Sequence, residues 1–93
     1  MTKTALIPIA DGSEEIEVVC LIDVLRRAEV VVTVASVMDA REITASRGTT
    51  IVADALISDC SDQSYDLIAL PGGMPGAEHL RDCEPLIEML GEQ

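Results

Sequence analysis

Three short runs of almost unbroken apolar residues constrain this chain most: Thr4 to Ala10, Val30 to Val37 and Tyr65 to Leu70. Continuous rather than alternating hydrophobicity marks a strand buried on both faces. Between the first two runs lies Glu14 to Arg27, which reads as a helix. Its first turn holds Glu14, Glu15 and Glu17 and its last turn Arg26 and Arg27, charges that complement the helix dipole at both ends. Its apolar positions, Ile16, Val19, Cys20 and Val24 with one flank of Leu21, Ile22 and Leu25, form more than one stripe and predict burial on two sides. Doubly buried strands alternating with helices specify an α/β fold with a parallel sheet covered on both faces.

The connecting segments fill in this frame. Asp11-Gly12-Ser13 is a turn, with Asp11 and Glu14 at capping-box spacing and Ser13 as an alternative N-cap. Glu29 follows the helix where Gly is expected. Ile43 to Ser46 and Thr49 to Val52 flank Arg47-Gly48 as a short antiparallel hairpin. Asp54 to Ser64 reads as a loop-rich connection. Ala77 to Asp82 and Glu84 to Leu90 read as short helices, with Gly91 as a stop. Pro8 lies inside the first strand and cannot donate to a ladder, which predicts a local irregularity there.

Composition narrows the function classes. Ninety-three residues bound the chain to one domain with a modest core. A net charge of −11 speaks against binding a nucleic-acid backbone or an anionic membrane. A hydrophobic content of 48% is too high for a disordered acidic tail. Tyr65 is the sole aromatic residue, so no base-stacking platform exists. Cys20, Cys60 and Cys83 are widely spaced with no CxxC, which suits a reducing cytoplasm rather than a disulfide framework. Neither a signal peptide nor a membrane-spanning run is expected.

Ligands of an open parallel sheet bind beyond the carboxyl ends of its strands, where the winding reverses. The first strand ends in Asp11-Gly12-Ser13-Glu14-Glu15-Ile16-Glu17 and the third in Pro71-Gly72-Gly73-Met74-Pro75-Gly76. If these strands are neighbours, both turns open into one crevice holding a carboxylate and free backbone N–H groups. Prefixed N–H dipoles suit a reaction that generates an oxyanion. Glu14 and Glu15 read as solvated partners of the helix dipole. Glu17, beside the apolar run that begins at Val18, is expected to face inward, where burial would raise its pKa and the helix N-terminus would oppose the rise. His79 and Cys83 share a helical spacing, but two ligands do not make a zinc site. Cys20 reads as a core hydrophobe and Cys60 as an exposed loop residue. No phosphate-binding glycine motif occurs, and no cofactor or metal is expected.

Such a crevice lacks an attacking group. Three parallel strands also leave an open sheet edge, so the chain is expected to be the N-terminal portion of a longer domain. At this point the residues resemble a known family. Ala5-Leu6-Ile7-Pro8-Ile9-Ala10-Asp11-Gly12-Ser13-Glu14-Glu15-Ile16-Glu17, Ile22-Asp23-Val24-Leu25-Arg26-Arg27-Ala28, Val32-Thr33-Val34-Ala35-Ser36, Ser46-Arg47-Gly48 and Tyr65-Asp66-Leu67-Ile68-Ala69-Leu70-Pro71-Gly72-Gly73 look like the N-terminal half of the ThiJ/PfpI family, relatives of a Parkinsonism-associated deglycase. The resemblance implies a flavodoxin-like three-layer sandwich with a mostly parallel sheet, incomplete in this chain, with residues 1–93 as the N-terminal portion of a single domain. It implies that Glu17 is protonated and hydrogen-bonds a nucleophilic Cys on an elbow beyond Gln93, and that the Gly73 N–H serves an oxyanion hole beside Gly72. It further implies that Arg27 and Arg47 lie near the pocket at a homodimer interface. The implied activity is deglycase or glyoxalase chemistry on small carbonyl compounds, alongside oxidative-stress chaperone roles; some members carry a thiazole-biosynthesis label. Ala45 and Glu29 depart from the family pattern, and the nucleophile is absent from the chain. A redox-responsive chaperone or sensor without a committed substrate is the alternative. A phosphoacceptor or nucleotide module is disfavoured because only Asp11 follows the first strand.

Overall fold

The apolar runs condense into a four-stranded parallel sheet. The structure is a computed structural model that describes residues 2–73 and 76–92, so Met74 and Pro75 of the predicted glycine turn, and Gln93, lie outside the described residues. In chain order the elements are β1 (Thr4–Ile9), α1 (Glu15–Arg27), β2 (Val31–Ser36), β3 (Glu42–Thr44), β4 (Thr50–Val52), β5 (Ala55–Leu56), a 3₁₀ turn (Ile57–Asp59), β6 (Leu67–Ile68), α2 (Gly76–Arg81) and α3 (Glu84–Glu92). The sheet order is β5-β2-β1-β6, and β3 and β4 form a separate antiparallel pair.

Strand alternation splits the core into two layers. Ala5, Ile7 and Ile9 of β1 point to one face, where Val18 of α1, Val32 and Val34 of β2, and Ile43, Ala45 and Ala53 of the hairpin join them. Leu6 and Ala10 point to the other, packed with Ala35, Ile57, Cys60, Tyr65, Leu80, Leu86 and Met89. A sheet covered by α1 on one face and by α2 and α3 on the other is the arrangement the buried runs predict.

Several details differ from expectation. Helix α1 is not buried on two sides: Val18 alone is fully buried, Leu21, Ile22 and Leu25 are half-buried, and Ile16, Val19, Cys20 and Val24 are exposed. A helix on a sheet buries one stripe, and no described residue packs on its outer side. Neither Asp11 nor Ser13 caps α1; Glu14 occupies the N-cap without a side-chain cap bond. Both predicted caps serve other partners: the Ser13 hydroxyl accepts the Ala10 N–H at 3.0 Å, and Asp11 Oδ1 accepts the Thr44 N–H at 3.0 Å. Cys60 is buried rather than exposed, because the Asp54 to Ser64 segment contains β5 and a 3₁₀ turn that tuck it under the sheet. Gly91 lies within α3 rather than ending it.

Pro8 leaves the β1–β2 register unbroken, pairing with Ala35. The carbonyls of Lys3 and Ile9 accept from Val31 and Val37 of the β2 segment, whereas those of Thr4 and Leu6 accept from Asp66 and Ala69 of the β6 segment. Alternation therefore aims the missing Pro8 donor at the β6 side, where the register ends at Leu6 and Ile68. This accounts for β6 being shorter than the predicted Tyr65 to Leu70 strand. Glu29 adopts φ +64°. Its N–H donates to the Arg26 carbonyl and the Val30 N–H to that of Leu25, both at 3.0 Å, a Schellman closure built on a residue other than Gly.

Candidate functional site

Strands β1 and β6 are parallel neighbours, although β2 follows β1 in sequence. The winding direction reverses between them, so the turns leaving their carboxyl ends open together. The loop after β1 enters α1, and the loop after β6 is the glycine turn. The two loops touch directly. The Glu14 N–H donates to the Gly72 carbonyl at 2.9 Å, and the Gly72 N–H donates to Glu17 Oε1 at 3.0 Å.

The glycines make this approach possible. Gly73 has φ +104°, and a Cβ there would stand 2.7 Å from the Glu14 nitrogen and 2.8 Å from the Gly12 carbonyl oxygen. At Gly76 a Cβ would lie 2.6 Å from the Ser13 nitrogen. A Cβ at Gly72 would lie 3.0 Å and 3.1 Å from the two Glu17 carboxylate oxygens. The Glu17 carboxylate thus sits over Gly72. Among the described residues the Gly73 N–H has no acceptor. An acid and a free main-chain donor share one rim.

Glu17 itself is exposed, which corrects the expectation that it faces inward. The physical reason is that Val18, the next residue, takes the fully buried position of the first turn, leaving Glu17 to reach sideways to Gly72. Glu14 and Glu15 are not merely solvated dipole partners either: Glu14 Oε2 lies 3.3 Å from the Ser46 hydroxyl, and Glu15 is bound more fully. Its Oε1 accepts the Ser46 hydroxyl at 3.0 Å, and its Oε2 accepts the Arg47 N–H at 2.9 Å and the Thr49 N–H at 3.4 Å. Lost hydration pushes this carboxyl up, but hydrogen bonds from its own backbone N–H, Ser46, Thr49 and Arg47 outweigh that and hold it at about 2. Sequence reading missed this clamp. The available signal was a Ser-Arg-Gly hairpin tip, which offers a hydroxyl and main-chain N–H donors, in a chain with spare acids at a helix start.

The two arginines are placed differently. Arg47 is at the hairpin tip beside the first turn of α1, and among the described residues its side chain makes no ion pair. Arg27 lies ten residues along α1 from Glu17, about 15 Å at 1.5 Å per residue, and pairs with Asp23 at 3.1 Å. The structure therefore gathers Glu17, Gly72 and Gly73 on one rim, sets the Arg47 backbone on the Glu15 side of the first turn, and leaves Arg27 outside this rim. Among the described residues no three His, Cys, Asp or Glu side chains converge to hold a metal, and no helix is long and apolar enough to cross a membrane.

A doubly wound sheet whose switch point joins a carboxylate to a glycine-turn N–H defines a flavodoxin-like α/β protein, with the two turns meeting at the carboxyl ends of β1 and β6. Comparison with known proteins makes this specific. The model of the DJ-1/PfpI family matches residues 3–93, and the chain belongs to that family. It is 51% identical over 92 residues to protein DJ-1 homolog B of Arabidopsis thaliana, covering 99% of this chain and 21% of that protein. It is 35% identical to the glutathione-independent glyoxalase DJR-1.2 of Caenorhabditis elegans, covering 98% of this chain and 48% of that one. The structure of oxidized Toxoplasma gondii DJ-1 superposes with a TM-score of 0.97 at 50% identity, over 98% of this chain and 50% of that one. The chain thus spans half or less of these relatives.

Proposed function

We propose that residues 1–93 form the N-terminal portion of a single DJ-1/PfpI domain and supply its acid and its oxyanion donor, while a Cys in the remainder supplies the nucleophile. The thiolate adds to the carbonyl carbon of a small aldehyde or ketone, or of a glycated adduct. A C–S bond forms, the C=O π pair moves onto oxygen, and the resulting oxyanion is received by the Gly73 N–H and then protonated. Glu17 orients and tunes the thiol. Arg47, with Arg27 from a second copy, binds the substrate. The observation that carries this reading is the 3.0 Å bond between the Gly72 N–H and Glu17 beside a Gly73 N–H that has no acceptor among the described residues. A relative named as a glyoxalase supports the substrate class.

The remainder of the domain has a place to dock. Leu70, Pro71, Leu80, Arg81, Leu86, Ile87 and Leu90 line a nearly wholly apolar groove of about 440 Å³ beside β6, the terminal strand of the sheet. Parallel sheets are stable when covered on both faces and extended past such edges. A homodimer would cover the exposed Ile16, Val19 and Val24 stripe of α1. The protein is proposed to work in the cytoplasm. A redox-responsive chaperone or sensor is the second reading, favoured by the near neighbour having been described in an oxidized form. Methylglyoxal consumption by the full-length protein separates the two. Turnover that falls in Glu17→Ala supports the enzyme, equal rates remove Glu17 from the mechanism, and peroxide-dependent suppression of client aggregation without turnover supports the sensor.

A further inference from the structure

The first turn of α1 carries the acid of the site, yet nothing in its own sequence pins it. Its N-cap residue, Glu14, makes no side-chain cap bond, and uncapped helix ends fray. The turn is held instead by tertiary bonds on two sides. On one side are Gly72 and Glu17, joined at 3.0 Å, and the Glu14 N–H, 2.9 Å from the Gly72 carbonyl. On the other is the β3–β4 hairpin. Glu15 and Glu17 are two residues apart, about 200° around the helix, so they reach in nearly opposite directions. Glu15 grips the hairpin tip through the Ser46 hydroxyl and the Arg47 and Thr49 N–H groups. The Ser46 N–H in turn donates to the Ser13 carbonyl at 2.9 Å, and the Gly12 N–H to that of Thr44 at 2.9 Å. Ile43, Ala45 and Ala53 anchor the hairpin in the core, so the tip is a fixed post rather than a loose loop.

We propose that Glu15 is a positioning residue for Glu17: by tying the first turn of α1 to the core-anchored hairpin tip, it holds the Glu17 carboxylate over Gly72 in register with the Gly73 N–H. The role rests on the enzymatic reading of this site for its kinetic consequence, but not for its structural one. Glu15 touches no reacting atom. Its loss would remove the carboxylate that receives three donors of the hairpin tip, leaving the Ser13 and Thr44 backbone bonds, the 3.3 Å Ser46–Glu14 contact and buried Val18 to hold the turn more loosely about the Gly72 contact. Small displacements of a catalytic group cost rate more than affinity.

The test uses the full-length protein with Glu15→Ala, Glu15→Gln and, as a purely structural control on the opposite face of the sheet, Ile57→Val. In Glu15→Ala, kcat for methylglyoxal falls on the order of tenfold while KM stays within about twofold. Glu15→Gln, which keeps one acceptor oxygen, lies between Glu15→Ala and wild type. Hydrogen exchange of the Gly72 amide quickens in the same order, while the Val34 amide, bonded at 2.9 Å to Asp54 in the sheet, is unchanged. Ile57→Val lowers thermal stability without moving kcat or Gly72 exchange. If Glu15→Ala behaves like Ile57→Val, the proposal is overturned. If wild type shows no turnover, or Glu17→Ala is fully active, the enzymatic reading fails by itself. Gly72 exchange then decides: faster in Glu15→Ala upholds the positioning role, and unchanged refutes it.

Discussion

Replacing Gly72 and Gly73 singly by Ala separates the chemistry of the rim from its construction. At Gly73 the new side chain meets backbone: φ is +104°, and the Cβ would lie 2.7 Å from the Glu14 nitrogen and 2.8 Å from the Gly12 carbonyl oxygen. Strained backbone of this kind costs about 1–3 kcal/mol, and the two loops must also part. With a urea slope of about 1–3 kcal/mol/M, the unfolding midpoint of the full-length protein falls by roughly 1 M. At Gly72 the backbone is not in the left-handed region, and the Cβ meets only the flexible end of Glu17, at 3.0 and 3.1 Å. The reduced freedom of the unfolded chain returns about 0.4–1 kcal/mol, so the midpoint stays near that of wild type. The Glu17 carboxylate, however, must shift by a few tenths of an ångström or more, and turnover is expected to drop at least tenfold or so. Urea melts paired with methylglyoxal kinetics on the same preparations make the comparison. A Gly72→Ala protein with undiminished turnover would refute the placement of the acid over this glycine, and a Gly73→Ala protein as stable as wild type would refute the close contact of the two turns.

Other expectations follow from single residues. Glu29→Gly relieves the φ of +64°, a left-handed conformation costing side-chain residues about 1–2 kcal/mol, offset in part by glycine's looser unfolded chain; a net gain of about 0.5–1 kcal/mol should raise the thermal midpoint, and a loss would contradict the Schellman assignment. Glu15, held at about 2 against its usual 4.5, stabilises the clamp fully above about 4.5, and that contribution is lost as pH falls through about 2. The Arg47 and Thr49 amide resonances should therefore titrate near the lower value, and a midpoint near 4.5 would mean the carboxylate does not hold the hairpin. Val24→Asp, placing a charge on an exposed apolar stripe of α1, should halve the solution mass of the proposed homodimer measured by light scattering while leaving the fold intact; an unchanged dimer mass would exclude this face as the interface.

The layered plan of the fold was legible because it depends on patterns local in sequence. Unbroken apolar runs admit only doubly covered strands, and the charge gradient from Glu15 to Arg27 admits only one helix direction. The glycine turn and the first-turn acids were equally visible as residue types. What the pattern could not assign was which side chain serves which partner, because those choices are made by segments distant in the chain. Asp11 and Ser13 look like caps until Thr44 and the Ala10 N–H claim them. Cys60 looks exposed until the 3₁₀ turn buries it.

The sequence by itself determined a parallel α/β layer with an acid and a glycine turn somewhere along it. Only the tertiary structure decided that they meet. The return of β6 to the side of β1 opposite β2 brings Gly72 against Glu17 across 55 residues of chain, and the hairpin tip takes Glu15 as its main anchor, with Glu14 at a longer 3.3 Å from the same Ser46 hydroxyl. The physical reason is the same in both cases: hydrogen bonds and backbone clearances act over about 3 Å, and sequence separation says nothing about which groups come that close.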